Sequence, residues 1–88
     1  MIYDSTLVGG TVDVVLAAIR RNVCDVIPKL KQEEVTEDRS LSDLGCNSVD
    51  RTDVVAMTME DLGVVIPVVE FRFVTDIGSL AALLRRYA

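Results

Sequence analysis

Apolar residues recur at intervals of three and four positions along three stretches of the 88-residue chain. This spacing places them on one face of an α-helix, so the pattern predicts three amphipathic helices. The first is expected to begin after Gly9-Gly10, with Thr11 as its N-cap and Asp13 in its first turn, and to end at Pro28. Its predicted buried face comprises Val12, Val15, Leu16, Ile19, Val23, Val26 and Ile27.

The second helix is expected to start at Asn47 or Ser48 and to stop at Gly63, because glycine is a common residue just beyond a helix C-terminus. Farther along, residues Glu70 to Val74 are expected to form a short helical turn, and Thr75-Asp76 is typical of the start of a last helix. The predicted buried positions of the second and last helices are Val54, Val55, Met59, Leu62, Ile77, Leu80, Ala81, Leu83 and Leu84.

A long connection, from Lys29 to Cys46, joins the first two helices. Its two charge runs are expected to face solvent, and four single apolar residues are expected to anchor it to the core. Ser40 to Leu44 should form a short turn of helix that ends at Gly45. Loops of this length are uncommon in compact domains and are usually functional. The four predicted anchors are Leu30, Val35, Leu41 and Leu44.

No stretch alternates convincingly between apolar and polar residues, as a half-buried strand would. The β-prone run Val64 to Val69 stands alone and contains Pro67, which argues against a strand. We therefore expect an all-α domain that spans residues 1–88, with residues 1–10 as a poorly ordered leader. The leader lacks the basic start and long apolar core of a signal peptide, and Val64 to Val69 is too short to span a membrane.

The composition narrows the range of functions. Half of the residues are apolar and the net charge is −5, with 14 acidic against 9 basic residues. An acidic domain repels phosphate backbones, so nucleic acid is not expected as a partner, and proteins with basic surfaces are favoured. The chain has no histidine, and histidine is the commonest general base and the commonest metal ligand. We therefore expect neither a catalytic residue nor a metal site.

The two cysteines, Cys24 and Cys46, have no metal-ligand spacing and form no disulfide framework. We interpret them as reduced thiols of a cytoplasmic protein. Cys24 falls on the flank of the first helix's apolar face. At such a position, a small buried thiol is a simpler interpretation than a reactive thiol. Cys46 lies in the loop and is expected to be the more accessible of the two. A cysteine–histidine catalytic pair is impossible without histidine.

The segment from Gly45 to Asp50 combines the end of a long loop, a hydroxyl group and a helix start. Unpaired N–H groups and the helix dipole favour a phosphate at a helix N-terminus. Ser48 could therefore carry a phosphodiester at this point. The alternative, on these residues alone, is that Asn47 or Ser48 simply caps the helix.

The wider segment Leu41 to Asp50 resembles the phosphopantetheine attachment region of acyl carrier proteins. That region reads leucine, two residues, leucine, glycine, one residue, then Asp-Ser-Leu or a near variant. The resemblance extends from Thr11 to Tyr87 and includes Ile66-Pro67 after the second helix and Ile77-Gly78-Ser79-Leu80 at the start of the last. It implies a four-helix bundle with a long loop between its first and second helices.

By this resemblance, Ser48 accepts 4′-phosphopantetheine from coenzyme A, through a separate phosphopantetheinyl transferase that alone requires Mg²⁺. Asn47 replaces the usual aspartate and so removes a charge from the surface that the transferase reads. The arm's thiol then holds an acyl group as a thioester. The chain itself is expected to be a monomeric carrier and not an enzyme.

The string Asn-Ser-Val-Asp-Arg, followed by Thr52-Asp53-Val54-Val55, is most similar to discrete donor carriers from polyketide β-branching cassettes, which serve antibiotic biosynthesis. Such carriers donate a short acyl unit, usually acetyl formed by decarboxylation of malonyl, to an enzyme like hydroxymethylglutaryl-CoA synthase. The partners implied are this enzyme, a ketosynthase or decarboxylase, and an acyltransferase.

The second helix is also expected to be the docking surface for these partners, because recognition near Ser48 brings the arm to the partner's active site. Apolar residues within an acidic surface suit basic partners, although a solvated face with scattered apolar residues is the alternative. Arg51 carries a positive charge, opposite to the charge of its acidic neighbours. It could repel some basic partners or simply pair with a nearby acid. The predicted docking residues are Asn47, Val49, Asp50, Arg51, Asp53, Ala56, Met57 and Glu60.

Two alternatives to donation in β-branching are open on the sequence. The first is a carrier with the same chemistry that serves chain elongation in polyketide or fatty-acid synthesis. The second belongs to another class, a helical interaction module without a prosthetic group. Modification by coenzyme A and a transferase separates this module from either carrier.

Overall fold

The computed structural model describes residues 13–88. The predicted leader, Thr11 and Val12 lie outside these residues. The first helix, α1, spans Val14–Val26. Its N-cap is Asp13, whose carboxylate accepts a hydrogen bond from the Leu16 N–H at 3.1 Å. The prediction of Thr11 as the N-cap is therefore wrong, since the helix starts two residues later than that cap requires.

The second α-helix, α2, spans Ser48–Leu62, and Asn47 is its N-cap. Gly63 ends the helix in the left-handed conformation, with φ 67°, where glycine is free of the strain that a Cβ would bring. The helix bounds thus confirm the predicted start and stop. Because Asn47 is the cap, Ser48 is the first residue of the helix itself.

The last helix, α3, spans Ile77–Tyr87 and begins at the N-cap Asp76. A 3-10 helix, Val68–Phe73, precedes α3 and packs against it as the fourth helix of the bundle in the described residues. This segment begins two residues before the predicted helical turn. No strand occurs within residues 13–88, so the predicted all-α class is confirmed.

The core lies where α1 meets α2 and where α3 packs against α1. All five apolar residues predicted for the inner face of α3 are buried, and so are four of the six predicted for α1 that lie within the described residues. Of the four apolar residues predicted for the inner face of α2, only Val54 is fully buried, whereas Val55, Met59 and Leu62 are half-buried. The fully buried apolar residues of α1 and α3 are Val15, Leu16, Ala18, Ile19, Val23, Ile77, Leu80, Ala81, Leu83 and Leu84.

The long loop is attached to the bundle through both side chains and backbone. Val35 and Leu44 are buried as predicted, whereas Leu30 and Leu41 are only half-buried against the core. The loop also contains a 3-10 helix that the sequence did not predict, Gln32–Glu34. Arg20 donates from Nε to the Val35 carbonyl at 3.0 Å, which ties this part of the loop to α1.

The first turn of α3 holds the middle of the loop. The N–H of Ile77 donates to the Arg39 carbonyl at 2.8 Å, and the N–H of Gly78 donates to the Glu37 carbonyl at 2.9 Å. A Cβ at Gly78 would lie 3.2 Å from that Glu37 oxygen, so glycine permits this close approach. Within residues 13–88, no helix is long and apolar enough to cross a membrane.

Candidate functional site

The chain reaches α2 through a tight turn over residues 41–45. The Ser40 N–H donates to Asp43 Oδ2 and the Asp43 N–H donates to Ser40 Oγ, both at 3.0 Å. These bonds to Ser40 hold the pKa of the Asp43 carboxyl below its usual value. Gly45 closes the turn at φ 98°. The segment predicted as a turn of helix is thus a hydrogen-bonded turn.

Ser48 is exposed at the first position of α2. Asn47 Oδ1 accepts from the Asp50 N–H at 2.8 Å, and Asp50 Oδ2 accepts from the Asn47 N–H at 3.1 Å. This reciprocal pair caps the helix without Ser48. The Ser48 hydroxyl makes no hydrogen bond to any residue in the described range, while its carbonyl accepts from Thr52 Oγ1 at 3.0 Å. The hydroxyl is therefore available for a covalent attachment.

Cys46, two residues before Ser48, is buried, with 5% of its surface exposed. Burial raises the pKa of its thiol above the ordinary value, and the Asp50 carboxylate raises it further. The expectation that Cys46 is the more accessible thiol is wrong, because Cys24 is half-buried and Cys46 is buried. The backbone N–H of Cys46 donates to the Leu41 carbonyl at 3.0 Å, across the turn that precedes α2.

Ser48 opens onto a groove of about 700 Å³ between α2 and the segment that follows it. Val55 and Met59 supply part of its wall from α2, and the other wall comes from residues after the helix. Sequence reasoning missed this second wall, although the isolated apolar run around Pro67 was its signal. The residues of the second wall are Val64, Ile66, Val68 and Phe71.

Six of the eight predicted docking residues are exposed, and Asp50 and Met57 are half-buried. Met57 therefore does not lie fully on the exposed face to which it was assigned. Asp50 contributes its carboxylate to the cap of α2. The exposed six are Asn47, Val49, Arg51, Asp53, Ala56 and Glu60.

Arg51 contacts the loop and not an acid. Its Nη1 donates to Ser42 Oγ at 2.6 Å, and no carboxylate within residues 13–88 forms an ion pair with it. The alternative that Arg51 pairs with a nearby acid is thus wrong for the described part of the chain. In the same residues, no cluster of three or more potential metal ligands occurs.

Comparison with known proteins identifies the class to which this fold and site belong. The family described as "Phosphopantetheine attachment site" matches residues 17–84, a range that includes Ser48 and nearly the whole bundle. The chain therefore belongs to the phosphopantetheine-binding family of acyl carrier proteins. Its cofactor is covalently attached 4′-phosphopantetheine, and proteins of this kind are carriers and not enzymes.

A curated relative is the polyketide biosynthesis acyl-carrier-protein AcpK of Bacillus subtilis (strain 168), which is 40% identical over 63 residues. The aligned part covers 72% of this chain and 77% of AcpK. No solved structure gave a significant match. The hydroxyl of Ser48, which is exposed and has no hydrogen-bond partner among residues 13–88, lies beside an open groove.

Proposed function

We propose that this chain, as one carrier domain over residues 1–88, holds 4′-phosphopantetheine on Ser48 Oγ and an acyl group on that arm. The single observation that carries the assignment is the exposed hydroxyl at the first residue of α2, which has no hydrogen-bond partner in the described part of the chain. Asn47 and Asp50 complete the helix cap by themselves, so modification of Ser48 leaves the cap unchanged. When attached, the arm supplies the thiol that forms the thioester.

The test is modification of the apo-protein by coenzyme A, Mg²⁺ and a phosphopantetheinyl transferase, followed by intact-protein mass spectrometry. The wild-type protein should gain the mass of one arm, and Ser48→Ala should gain none. Ser42→Ala is the matched control, because Ser42 is also exposed and lies just upstream, and it should be modified fully. Circular dichroism should show unchanged helix content in both variants. Modification of Ser48→Ala would exclude Ser48 as the attachment point.

We further propose that the carrier donates a short acyl unit, such as acetyl, to an enzyme like hydroxymethylglutaryl-CoA synthase in polyketide β-branching. Two observations support this role: the relative AcpK is named as a polyketide biosynthesis acyl carrier protein, and residues 47–55 resemble the donor carriers. We propose that the carrier acts as a monomer in the cytoplasm. Cys24 and Cys46, which form no disulfide, would stay reduced there. An acyltransferase and a ketosynthase or decarboxylase would supply the acetyl group.

The alternative carrier role, in chain elongation, is separated from donation by the fate of the bound acyl group. Acetyl-loaded holo-protein should lose acetyl to the synthase-like enzyme in the presence of a second carrier that bears a β-ketoacyl chain. Malonyl-loaded protein given to an elongating ketosynthase should retain its acyl group. The opposite pattern would favour elongation.

The exposed acids of α2 are proposed to steer partners toward the arm. Asp53 and Glu60 are exposed, and exposed charges act mainly on encounter rates and are screened beyond about 8 Å at physiological ionic strength. Asp53→Lys combined with Glu60→Lys should slow acyl transfer and flatten its dependence on salt. Glu33→Lys with Asp38→Lys makes the same charge change on the loop and should leave transfer near the wild-type rate. Equal effects of the two pairs would contradict docking on α2.

Met57 is proposed to contribute apolar contact to the same docking surface. Met57→Ala should raise the dissociation rate of the partner complex with little effect of salt, because apolar contacts act mainly after encounter. Since Met57 is half-buried, unfolding in urea must first show that the variant is folded under the assay conditions. A rate of dissociation equal to that of the wild type would remove Met57 from the surface.

A further inference from the structure

Arg51 is the only basic residue in the sequence of α2, and it follows Ser48 by three positions. Residues three apart on a helix are neighbours on its surface, with about 5–6 Å between their Cβ atoms. The bond from Arg51 Nη1 to Ser42 Oγ, 2.6 Å long, holds the guanidinium between the turn at residues 41–45 and the start of α2. A positive charge therefore lies within one helical turn of the proposed attachment point.

Two carboxylates near Arg51 accept hydrogen bonds from backbone N–H groups. Asp50 Oδ2 accepts from the N–H of Asn47 at 3.1 Å. Asp76, which lines a smaller cavity of about 330 Å³ together with Arg51, accepts from the Ser79 N–H at 2.8 Å. No acid in residues 13–88 neutralises the guanidinium by an ion pair. The charge of Arg51 is thus available to an anion on the neighbouring serine.

The guanidinium of Arg51 has further N–H donors that could bind such an anion. Arginine carries five N–H donors in a planar fork, and one bond from Nη1 is accounted for by Ser42. Ser48 and Arg51 line the same groove. An arm on Ser48 would bring a phosphodiester, which bears a negative charge, onto a helix that also carries Asp50, Asp53, Glu60 and Asp61. Arg51 is the one cation of α2 that could offset this repulsion.

We propose that Arg51, oriented by Ser42, binds the phosphodiester that links the arm to Ser48 and so restricts the direction in which the arm leaves α2. The inference rests on the proposed attachment at Ser48. It assigns positioning roles to two residues of this chain and leaves the thioester chemistry to the arm. An Arg–phosphate contact also has a geometric requirement that lysine, as a point charge, meets only in part.

The test uses apo- and holo-protein, each verified by intact mass. The Nε–H resonance of Arg51 is compared between the two forms, and the ³¹P resonance of the phosphodiester is recorded on the holo-protein. Loading should shift the Arg51 Nε–H resonance. The ³¹P resonance of folded holo-protein should differ from that of the same protein unfolded in urea. Arg51→Gln should move the folded ³¹P resonance toward the unfolded value, Arg51→Lys should move it less, and Ser42→Ala should move it in the same direction.

A matched control is Arg72→Gln, which removes an exposed arginine that lies over the Phe73 ring, and it should leave the ³¹P resonance unchanged. The holo-protein should also gain melting temperature over the apo-protein, and Arg51→Gln should lose that gain. Unchanged ³¹P resonances in verified holo Arg51→Gln and Arg51→Lys would overturn the inference while the attachment stands. A wild-type protein that gains no arm would overturn the attachment and the inference together.

Discussion

The side-chain amide of Asn22 donates to the hydroxyl of Thr58 at 2.9 Å inside the interface of α1 and α2, where both residues are almost fully buried. Thr58 in turn donates to the Val54 carbonyl at 2.7 Å, and Asn22 donates also to Asp61 Oδ2 at 3.0 Å. Buried polar groups are costly unless they are paired. This network therefore favours one register of α2 on α1, and with it one position of Ser48.

We expect Thr58→Val to lower the free energy of unfolding by about 1–3 kcal/mol, because it keeps the shape of the side chain but leaves the Asn22 amide short of an acceptor. Urea unfolding measures the change. Thr52→Val is the control, since Thr52 is exposed on the same helix and should change stability by no more than about 0.5 kcal/mol. In a cycle with Asn22→Ala, the double variant should lose less than the sum of the single losses. Additive losses would show that the two side chains do not interact.

Leu44 and Leu41 should differ in their contributions to stability, although both were predicted as buried anchors. Leu44 is 5% exposed and belongs to the core, so Leu44→Ala should cost about 2–5 kcal/mol. Leu41→Ala should cost clearly less, because Leu41 is only half-buried and loses less apolar burial. Both variants are compared by urea unfolding. Equal costs would mean that Leu41 is as deeply buried in solution as Leu44.

The two thiols should react slowly, and Cys24 should react before Cys46. Burial is the main cause that raises the pKa of each thiol, with Asp25 adding to it at Cys24 and Asp50 at Cys46. Because the thiolate is the reactive form, both rates should rise with pH through and above the ordinary thiol range. Cys46 is the more buried, so its access to a reagent is poorer.

The rates are measured with a chromogenic disulfide reagent on Cys24→Ser and Cys46→Ser, each of which leaves one thiol. In urea the two variants should react at similar rates, which isolates the effect of the fold. Faster reaction of Cys46 in the folded protein would show that the turn before α2 opens readily in solution.

Asp61 should contribute stability that is lost in acid. The hydrogen bond from Asn22, and then that from Arg21, lower the pKa of the Asp61 carboxyl below its ordinary value of 3.8. A carboxyl whose pKa is lower in the folded state binds protons less readily there than in the unfolded chain. Its contribution is therefore fully present above the unfolded pKa and is lost as the pH falls through the folded pKa.

Asp61→Asn should accordingly be less stable than the wild type at neutral pH, and the difference should shrink as the pH is lowered below about 4. Asp53→Asn is the control, because Asp53 is exposed and forms no ion pair with a residue in the range 13–88. It should show the same acid-induced loss of stability as the wild type. A constant gap between Asp61→Asn and the wild type at all pH values would contradict the ionic contribution.

Local patterns in the sequence were sufficient to place α2, α3 and the candidate attachment point. The stop of α2 at Gly63, the start of α3 after Asp76 and the inner face of α3 follow from capping residues and helical periodicity. These features depend on residues within one or two turns of each other. Ser48 at the start of α2 belongs to the same group, because loop, glycine and helix start are adjacent in the chain.

The start of α1 is a feature that local patterns in the sequence did not predict. Thr11 and Asp13 are both good capping residues, and the structure uses Asp13. The same carboxylate forms an ion pair with Arg85 at the other end of the chain, and this contact is visible only once α3 lies beside α1. The burial of Cys46 is a similar case, because it depends on how the loop packs against the bundle.

The sequence by itself determined an acidic, all-α carrier with Ser48 at the head of its second helix, since periodicity, capping and the motif are short-range properties. Only the tertiary structure decided which polar groups meet across the helices. Asn22 and Thr58 interrupt apolar faces in the sequence, and their pairing depends on the register of α1 on α2. The groove beside Ser48 and the contact of Arg51 with Ser42 likewise join segments that are separate in the chain. Such contacts form only when the packed core brings those segments together, so no local pattern encodes them.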